Sequence, residues 1–217
     1  MTLLEFALGP ALQWSLMIMV VGLTWRVIGV FLGRWRRDLS RPRSDALVQG
    51  GLRAIITRSA PARELEKNIR FQHITGYIWH IGFFMTVLLY EPHIVFFESI
   101  LGFGWPGLPS HLVVIPASIA LATLVMLTIR RMIHPVMRTI TRPDDYLSLI
   151  IIISAFITGF MAYAHMGLRY ETMLAVHILN VELLFVWIPF SKLAHMFFWL
   201  LSRYRIGAYF ERKGVKA

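Results

Sequence analysis

HILNVELLFVWIPFSKLAH, residues 177–195, sets two imidazoles at the ends of a run of Leu, Ile, Val, Phe and Trp. The run belongs to a longer apolar segment, about 172–201, and four others of similar character precede it, at about 11–33, 74–97, 110–129 and 147–165. Each approaches the roughly 20 residues that cross a hydrocarbon core about 30 Å thick. Within lipid, backbone polar groups must pair internally, so unbroken apolar segments of this length read as helices. The expectation is an all-α integral membrane bundle of five transmembrane helices, a single domain over residues 1–217.

Composition agrees with that expectation. Hydrophobic residues make up 57% of the chain and charged residues 16%, and the mean hydropathy is +0.61. A soluble domain of this size would need more polar cover. MTLLEFALGP carries an acid and no Lys or Arg ahead of the first apolar run, unlike the basic start of a cleaved signal peptide, so the first helix is expected to stay in the mature protein. The chain has no cysteine, so it supplies no thiolate for a disulfide, an iron–sulfur cluster or a metal site; any such cluster belongs to a partner.

The net charge of +10 is a matter of topology rather than of nucleic acid. Ten of the 22 Lys and Arg fall in residues 34–70, four in 130–142 and five in 203–216, whereas the other set of loops holds Arg169 together with Glu5, Glu91, Glu98 and Glu171. Basic loops stay in the cytoplasm, which puts the N-terminus outside and the C-terminus inside. The connection at 34–70 is then a cytoplasmic loop. Pro42, Gly50, Gly51 and Pro61 break any long helix there, and its SAPARELEKNIR portion suits a short interfacial helix leading into the second span. A cytoplasmic partner has room to dock on this loop, and its basic residues also attract anionic lipid. Trp105 and Phe103 suit an outer aromatic belt.

Depth sorts the eight histidines. His134 lies in a basic cytoplasmic loop, His73 at the inner boundary, and His111 and His165 at the outer ends of the third and fourth spans. His80 and His93 belong to the second span, His177 and His195 to the fifth. Ionisable groups inside a bilayer are costly and mark function, and neutral imidazole is a ligand of haem iron. Eighteen residues make five whole helical turns, so a continuous helix would place His177 and His195 on one face, about 27 Å apart along the axis. One metal cannot use both, but two stacked haems can. His80 and His195 share an inner depth and form an inner bis-His site. The outer partner of His177 is His93 or His165, or the outer haem is missing. His93 is thirteen residues from His80, about 220° round an ideal helix, and needs Pro92 to kink or bulge the helix and swing it inward.

IWHIGFF in the second span and HILNVELLFVWIPFSKLAHMF in the fifth resemble the gamma subunit of respiratory nitrate reductase, a family of five-helix membrane cytochromes b. GLTWRVIGVFLGRWRR in the first span is a weaker likeness. The H…PFS(K/R)LxH pattern is met by His177, Pro189, Phe190, Ser191, Lys192 and His195. The nitrate-reductase pattern has its second helix-two histidine at the position of Tyr90, a departure that favours the branch found in the dissimilatory-sulfite-reductase-associated membrane complex and in heterodisulfide reductase. The resemblance implies two b haems between the second and fifth spans in a prokaryotic inner membrane. It also implies electron transfer between membrane quinone and a cytoplasmic iron–sulfur subunit, among the other subunits of such a complex.

Anionic haem propionates seek cations, and Lys192 and Arg26 lie at inner depth; Arg169 is an outer candidate. Asn180 shares the His177 face approximately, and Glu182 suggests a proton path or a hydrogen bond to a neighbouring helix. Tyr90, Glu91 and His111, near His93 and Glu182, supply the proton-exchanging groups that quinone chemistry needs. Two other readings are a proton-coupled transporter, which would show symmetric Gly/Pro-broken helices, and a cofactor-free membrane anchor, which leaves His177 and His195 unexplained.

Overall fold

The structure, a computed structural model, describes residues 1–33, 39–61 and 63–215. Arg34, Arg36, Arg37 and Lys216 of the basic clusters lie outside the described residues. Among the described residues the chain is helical, with nine helices: α1 (Leu3–Leu32), α2 (Leu47–Thr57), α3 (Arg63–Leu89), α4 (Glu91–Leu101), α5 (Ser110–Ile133), α6 (Pro135–Ile140), α7 (Pro143–Tyr163), α8 (Tyr170–Trp187) and α9 (His195–Arg212). The helices at Leu3–Leu32, Ser110–Ile133, Pro143–Tyr163 and Tyr170–Phe190 are long and apolar enough to cross a membrane.

The helix ends follow local chemistry. Thr2 and Glu5 form a capping box at the start of α1, and Pro10 sits in a π-turn at Ala7–Ala11, where the wider turn tolerates the missing N–H. Gly102, at φ 78°, ends α4 in the left-handed conformation. Pro143 opens α7 behind the Arg142–Asp145 cap.

Three expected boundaries differ. The segment 74–97 is two helices: α3 stops at Leu89, Tyr90 is extended (φ −84°, ψ 122°), and α4 restarts with Pro92 in its first turn. Pro92 lacks the N–H that would have continued the ladder. The first eight residues of α3 hold five charges, Arg63, Glu64, Glu66, Lys67 and Arg70, and its remainder, cut off at Leu89, carries Gln72, His73 and His80; α3 is not in the apolar set above. The segment 172–201 also breaks. After Trp187 come two short 3₁₀ turns, Ile188–Phe190 and Lys192–Ala194, joined by an extended Ser191 (φ −114°, ψ 178°). The five-turn phase argument linking His177 to His195 therefore does not hold, because the helix it assumes is interrupted at Pro189. Finally, Gly50 and Gly51 do not break helix in the 34–70 connection but lie inside α2, while the short helix expected in SAPARELEKNIR is the beginning of α3.

Two compact units result, 1–11 with 70–184 and 12–69 with 185–217. In the first, Val113, Ala117, Ala120 and Leu124 of α5 and Ile151, Ile152, Ala155 and Phe156 of α7 are buried. Trp79 and Phe83 of α3 lie against Phe156, with centroids 5.6 and 6.5 Å away. Gly82 lets α3 approach α5: a Cβ there would stand 2.5 Å from the Pro116 carbonyl oxygen. In the second unit α2 crosses α9, and Gly50, Gly51 and Ala54 are buried against Tyr204, Gly207 and Glu211. A Cβ on Gly207 would collide with that of Ala54 and stand 2.5 Å from the Gly50 carbonyl oxygen. The glycine pair is the packing surface, which is why the helix carries it despite the conformational cost.

Candidate functional site

In the first unit the break at Tyr90 frees carbonyls at the end of α3, and those of Thr86, Leu88 and Leu89 find donors. The indole of Trp105 donates to Leu88 O at 2.6 Å and the Leu108 amide to Leu89 O at 2.9 Å. His93 Nδ1 meets Thr86 O at 2.8 Å. That last bond fixes the tautomer of His93: a carbonyl only accepts, so Nδ1 carries the proton and Nε2 the lone pair.

His177, on α8, reaches the same state by another route. Thr158 of α7 donates its hydroxyl to Ser154 O at 2.8 Å, so its oxygen accepts from His177 Nδ1 at 3.2 Å. One turn along, Asn180 Nδ2 donates to Ser154 Oγ at 2.9 Å, which holds α8 to α7. Gly159 gives the ring its clearance, since a Cβ there would stand 3.0 Å from His177 Cε1.

The His93 and His177 ring centroids lie 6.2 Å apart, with the ring planes 21° from parallel. Both rings thus engage their surroundings through Nδ1. An imidazole nitrogen lies about 2.0–2.1 Å from a first-row metal it ligates, with the ring centroid about 1.1 Å further back, so two imidazoles across one ion have centroids about 6.2–6.4 Å apart. The observed centroid separation falls in that range. Nδ1–H bonded to a carbonyl or hydroxyl is also the usual outer contact of a metal-bound histidine. His, Asp and Glu side chains do not gather in threes among the described residues, so the donor set is a pair, the number an axially ligated haem takes.

The swing of His93 rests on a complete helix break at Tyr90 rather than on a kink. His165, the alternative partner, stacks instead on Tyr170 at 4.7 Å with a positive φ of 53°. Tyr90 stands edge-on to His93 at 5.2 Å and lies 6.4 Å from Tyr163. Glu91 opens α4 and His111 lies in the first turn of α5, both exposed. Glu182 is buried, 4% exposed, and its Oε1 has no hydrogen-bond partner among the described residues.

His80 and His195 fall in different units. His80 Nδ1 meets Gly76 O at 2.7 Å, and His195 Nδ1 meets Lys192 O at 2.9 Å. All four histidines selected by depth thus have Nδ1 at a carbonyl or hydroxyl oxygen. His134 contrasts with them, its Nδ1 buried without a partner among the described residues.

In the second unit His195 lines an open cavity of about 830 Å³ with Arg26, Lys192, Phe198, Arg205 and Tyr209. Arg26 has a further part in it. Its Nη1 donates to Pro189 O at 3.1 Å and Ser191 O at 2.9 Å, capping carbonyls at the helix break, and its guanidinium lies over Phe198 at 5.6 Å. Gly22, one turn earlier on α1, seats that helix on Pro189, where a Cβ would stand 2.6 Å from the proline ring.

Sequence reasoning missed Thr158, Gly159 and the capping role of Arg26. The Ser154–Thr158 spacing of four on α7, set against His177–Asn180 on α8, was the available signal for the first.

No protein-family model matches the chain, and no solved structure matches it significantly. A protein of Nitratidesulfovibrio vulgaris strain Hildenborough, named simply "Protein", is 31% identical over 206 residues, covering 93% of this chain and 91% of its own. That name states no activity. Identity at this level along nearly the whole of both sequences places the chain in the same family as the Nitratidesulfovibrio vulgaris protein.

Proposed function

We propose that this chain is the haem b membrane subunit of a respiratory or sulfur-metabolism redox complex, passing electrons between membrane quinone and a cytoplasmic iron–sulfur partner subunit. The observation that carries the proposal is the His93–His177 pair, 6.2 Å between centroids, each ring with its tautomer set for Nε2 ligation. The likeness of the second and fifth apolar segments to the nitrate reductase gamma-subunit family points the same way. In this reading α3 with α4 makes a fifth crossing of a prokaryotic inner membrane, the N-terminus is outside and the C-terminus cytoplasmic.

When bound, haem b supplies a one-electron ferric/ferrous couple. The chain's residues hold and orient it. His93 and His177 would hold an outer haem, with Thr86 O and Thr158 Oγ1 fixing their rings; His80 and His195, fixed by Gly76 O and Lys192 O, would hold an inner one. Lys192 and Arg26, both lining the cavity beside His195, would supply cations for propionates. Tyr90, Glu91 and His111 on the outer side exchange protons with a quinone ring. The basic cytoplasmic loops receive the iron–sulfur subunit.

The buried Glu182 carboxyl favours a second reading, a proton-coupled transporter. One experiment separates the two. The purified protein is expected to show a reduced-minus-oxidised spectrum of bis-histidine b haem that develops on adding a quinol, and His80→Ala and His195→Ala each to lose the inner component. A colourless, folded preparation overturns the haem reading.

A further inference from the structure

Helix α2 divides its circumference into three arcs at 100° per residue. Gly50, Gly51 and Ala54 form the small arc buried against α9. Gln49, Arg53 and Thr57 form a polar arc, with Arg53 paired to Glu211. The third arc is aliphatic and faces outward, with Val48 60%, Leu52 55% and Ile56 77% exposed. These three residues are four apart, so they make one stripe.

The helix is fixed in place rather than loosely tethered. The Glu211 carboxylate receives both Arg53 and the Ser44 hydroxyl, the latter at 3.0 Å. The Arg43 amide donates to Arg212 O at 2.9 Å, and Arg212 Nη2 donates to Ser40 O at 2.7 Å. Gly51 lies against Tyr204, four residues beyond Leu200, or about 6 Å along α9. Met196, Phe197, Trp199 and Leu200 at the start of α9 are all 40% exposed or more, the signature of a lipid-covered stretch in a chain of this hydropathy. The α2 axis therefore crosses α9 about one turn beyond this exposed apolar stretch.

We propose that α2 is an in-plane membrane-surface helix whose Val48–Leu52–Ile56 stripe enters the anionic cytoplasmic leaflet beside the point where α9 leaves the bilayer. Charge favours lipid over a protein partner as the occupant. Residues 34–70 hold ten Lys and Arg against four acids, Asp38, Asp45, Glu64 and Glu66, a balance that draws the segment to anionic headgroups. The stripe itself is aliphatic, whereas the centres of protein interfaces are enriched in Trp, Tyr and Arg. Only fourteen residues lie between Leu32, the end of α1, and Leu47, and five between Thr57 and Arg63, so both flanks hold the stripe near the membrane.

The inference requires the chain to lie in a bilayer but not to bind haem. The absence of cysteine makes the test direct. Single variants Val48→Cys, Leu52→Cys, Gln49→Cys and Thr57→Cys, each carrying a bimane label, are placed in nanodiscs of phosphatidylcholine mixed with phosphatidylglycerol. Quenching by shallow doxyl-labelled lipid is then measured, with Val20→Cys on the exposed face of α1 as the lipid control. Labels at Val48 and Leu52 are expected to lose roughly half their fluorescence, as for a stripe seated about 5–10 Å into the boundary, while Gln49 and Thr57 keep theirs. Quenching at Val20 but none at Leu52 overturns the inference, and no quenching at either site overturns the membrane reading instead. Protection of Leu52 only in native membranes that carry a partner assigns the stripe to protein and likewise overturns it.

Discussion

Gly159→Ala separates the fit of the His177 ring from the stability of the helix that carries it. Glycine inside a helix costs about 0.5–1 kcal/mol relative to alanine, so on local grounds the substitution strengthens α7. The added methyl, however, stands 3.0 Å from His177 Cε1, 3.4 Å from Nδ1 and 3.6 Å from Nε2. Carbon atoms rest at about 3.5–4.0 Å, so the ring must retreat by a few tenths of an ångström. Metal–ligand distances tolerate about 0.2 Å, so the retreat exceeds what the His93–His177 pair can absorb. Helical content by circular dichroism and monodispersity on gel filtration are expected to match the wild type, while haem per chain falls by about one. Gly29→Ala is the control, because a Cβ there meets nothing within 4 Å. Gly159→Ala protein with the full haem complement and unchanged midpoint potentials would refute the reasoning.

Other substitutions probe the surrounding structure. Thr158→Val keeps the shape but removes the acceptor for His177 Nδ1, and outer-haem affinity in titrations of haem-depleted protein should weaken about 10–100-fold. Arg26→Met removes two charge-assisted hydrogen bonds worth about 1.5–3 kcal/mol each, partly offset by relief of about 2.5–3.5 kcal/mol for keeping Arg in an apolar helix; a net loss of about 1–2 kcal/mol should lower the melting temperature, with Arg26→Lys intermediate. Gly207→Ala overpacks the α2–α9 crossing at a cost of about 1–3 kcal/mol, so limited proteolysis should open residues 47–57 while the outer haem spectrum stays unchanged.

Apolar runs made the all-helical fold, with four helices long and apolar enough to cross a membrane, legible in the sequence, since length and hydropathy act residue by residue. Features that depend on two segments meeting were harder to see. Pro92 signalled a disturbance, but the full break at Tyr90 depends on Trp105 and Leu108, which lie across a turn and satisfy the freed carbonyls. Pro189 was hidden inside an apolar run, and the interruption at Ser191 is held by Arg26, some 160 residues away in sequence. Gly50-Gly51 reads as a helix breaker when considered alone. Only the approach of Tyr204 and Gly207 turns the pair into a helix face. Depth alone selected the four histidines that share the Nδ1 arrangement, whereas Thr158 and Gly159 became visible only with α7 beside α8.

The most direct test of the central claim is a count of haem per chain, by pyridine haemochrome against quantitative amino-acid analysis, in wild-type protein and in His177→Ala. The account predicts about two haems in the wild type and about one in the variant, the loss being that of the outer centre. Equal haem content in the two proteins, or a wild type that carries none, would contradict it.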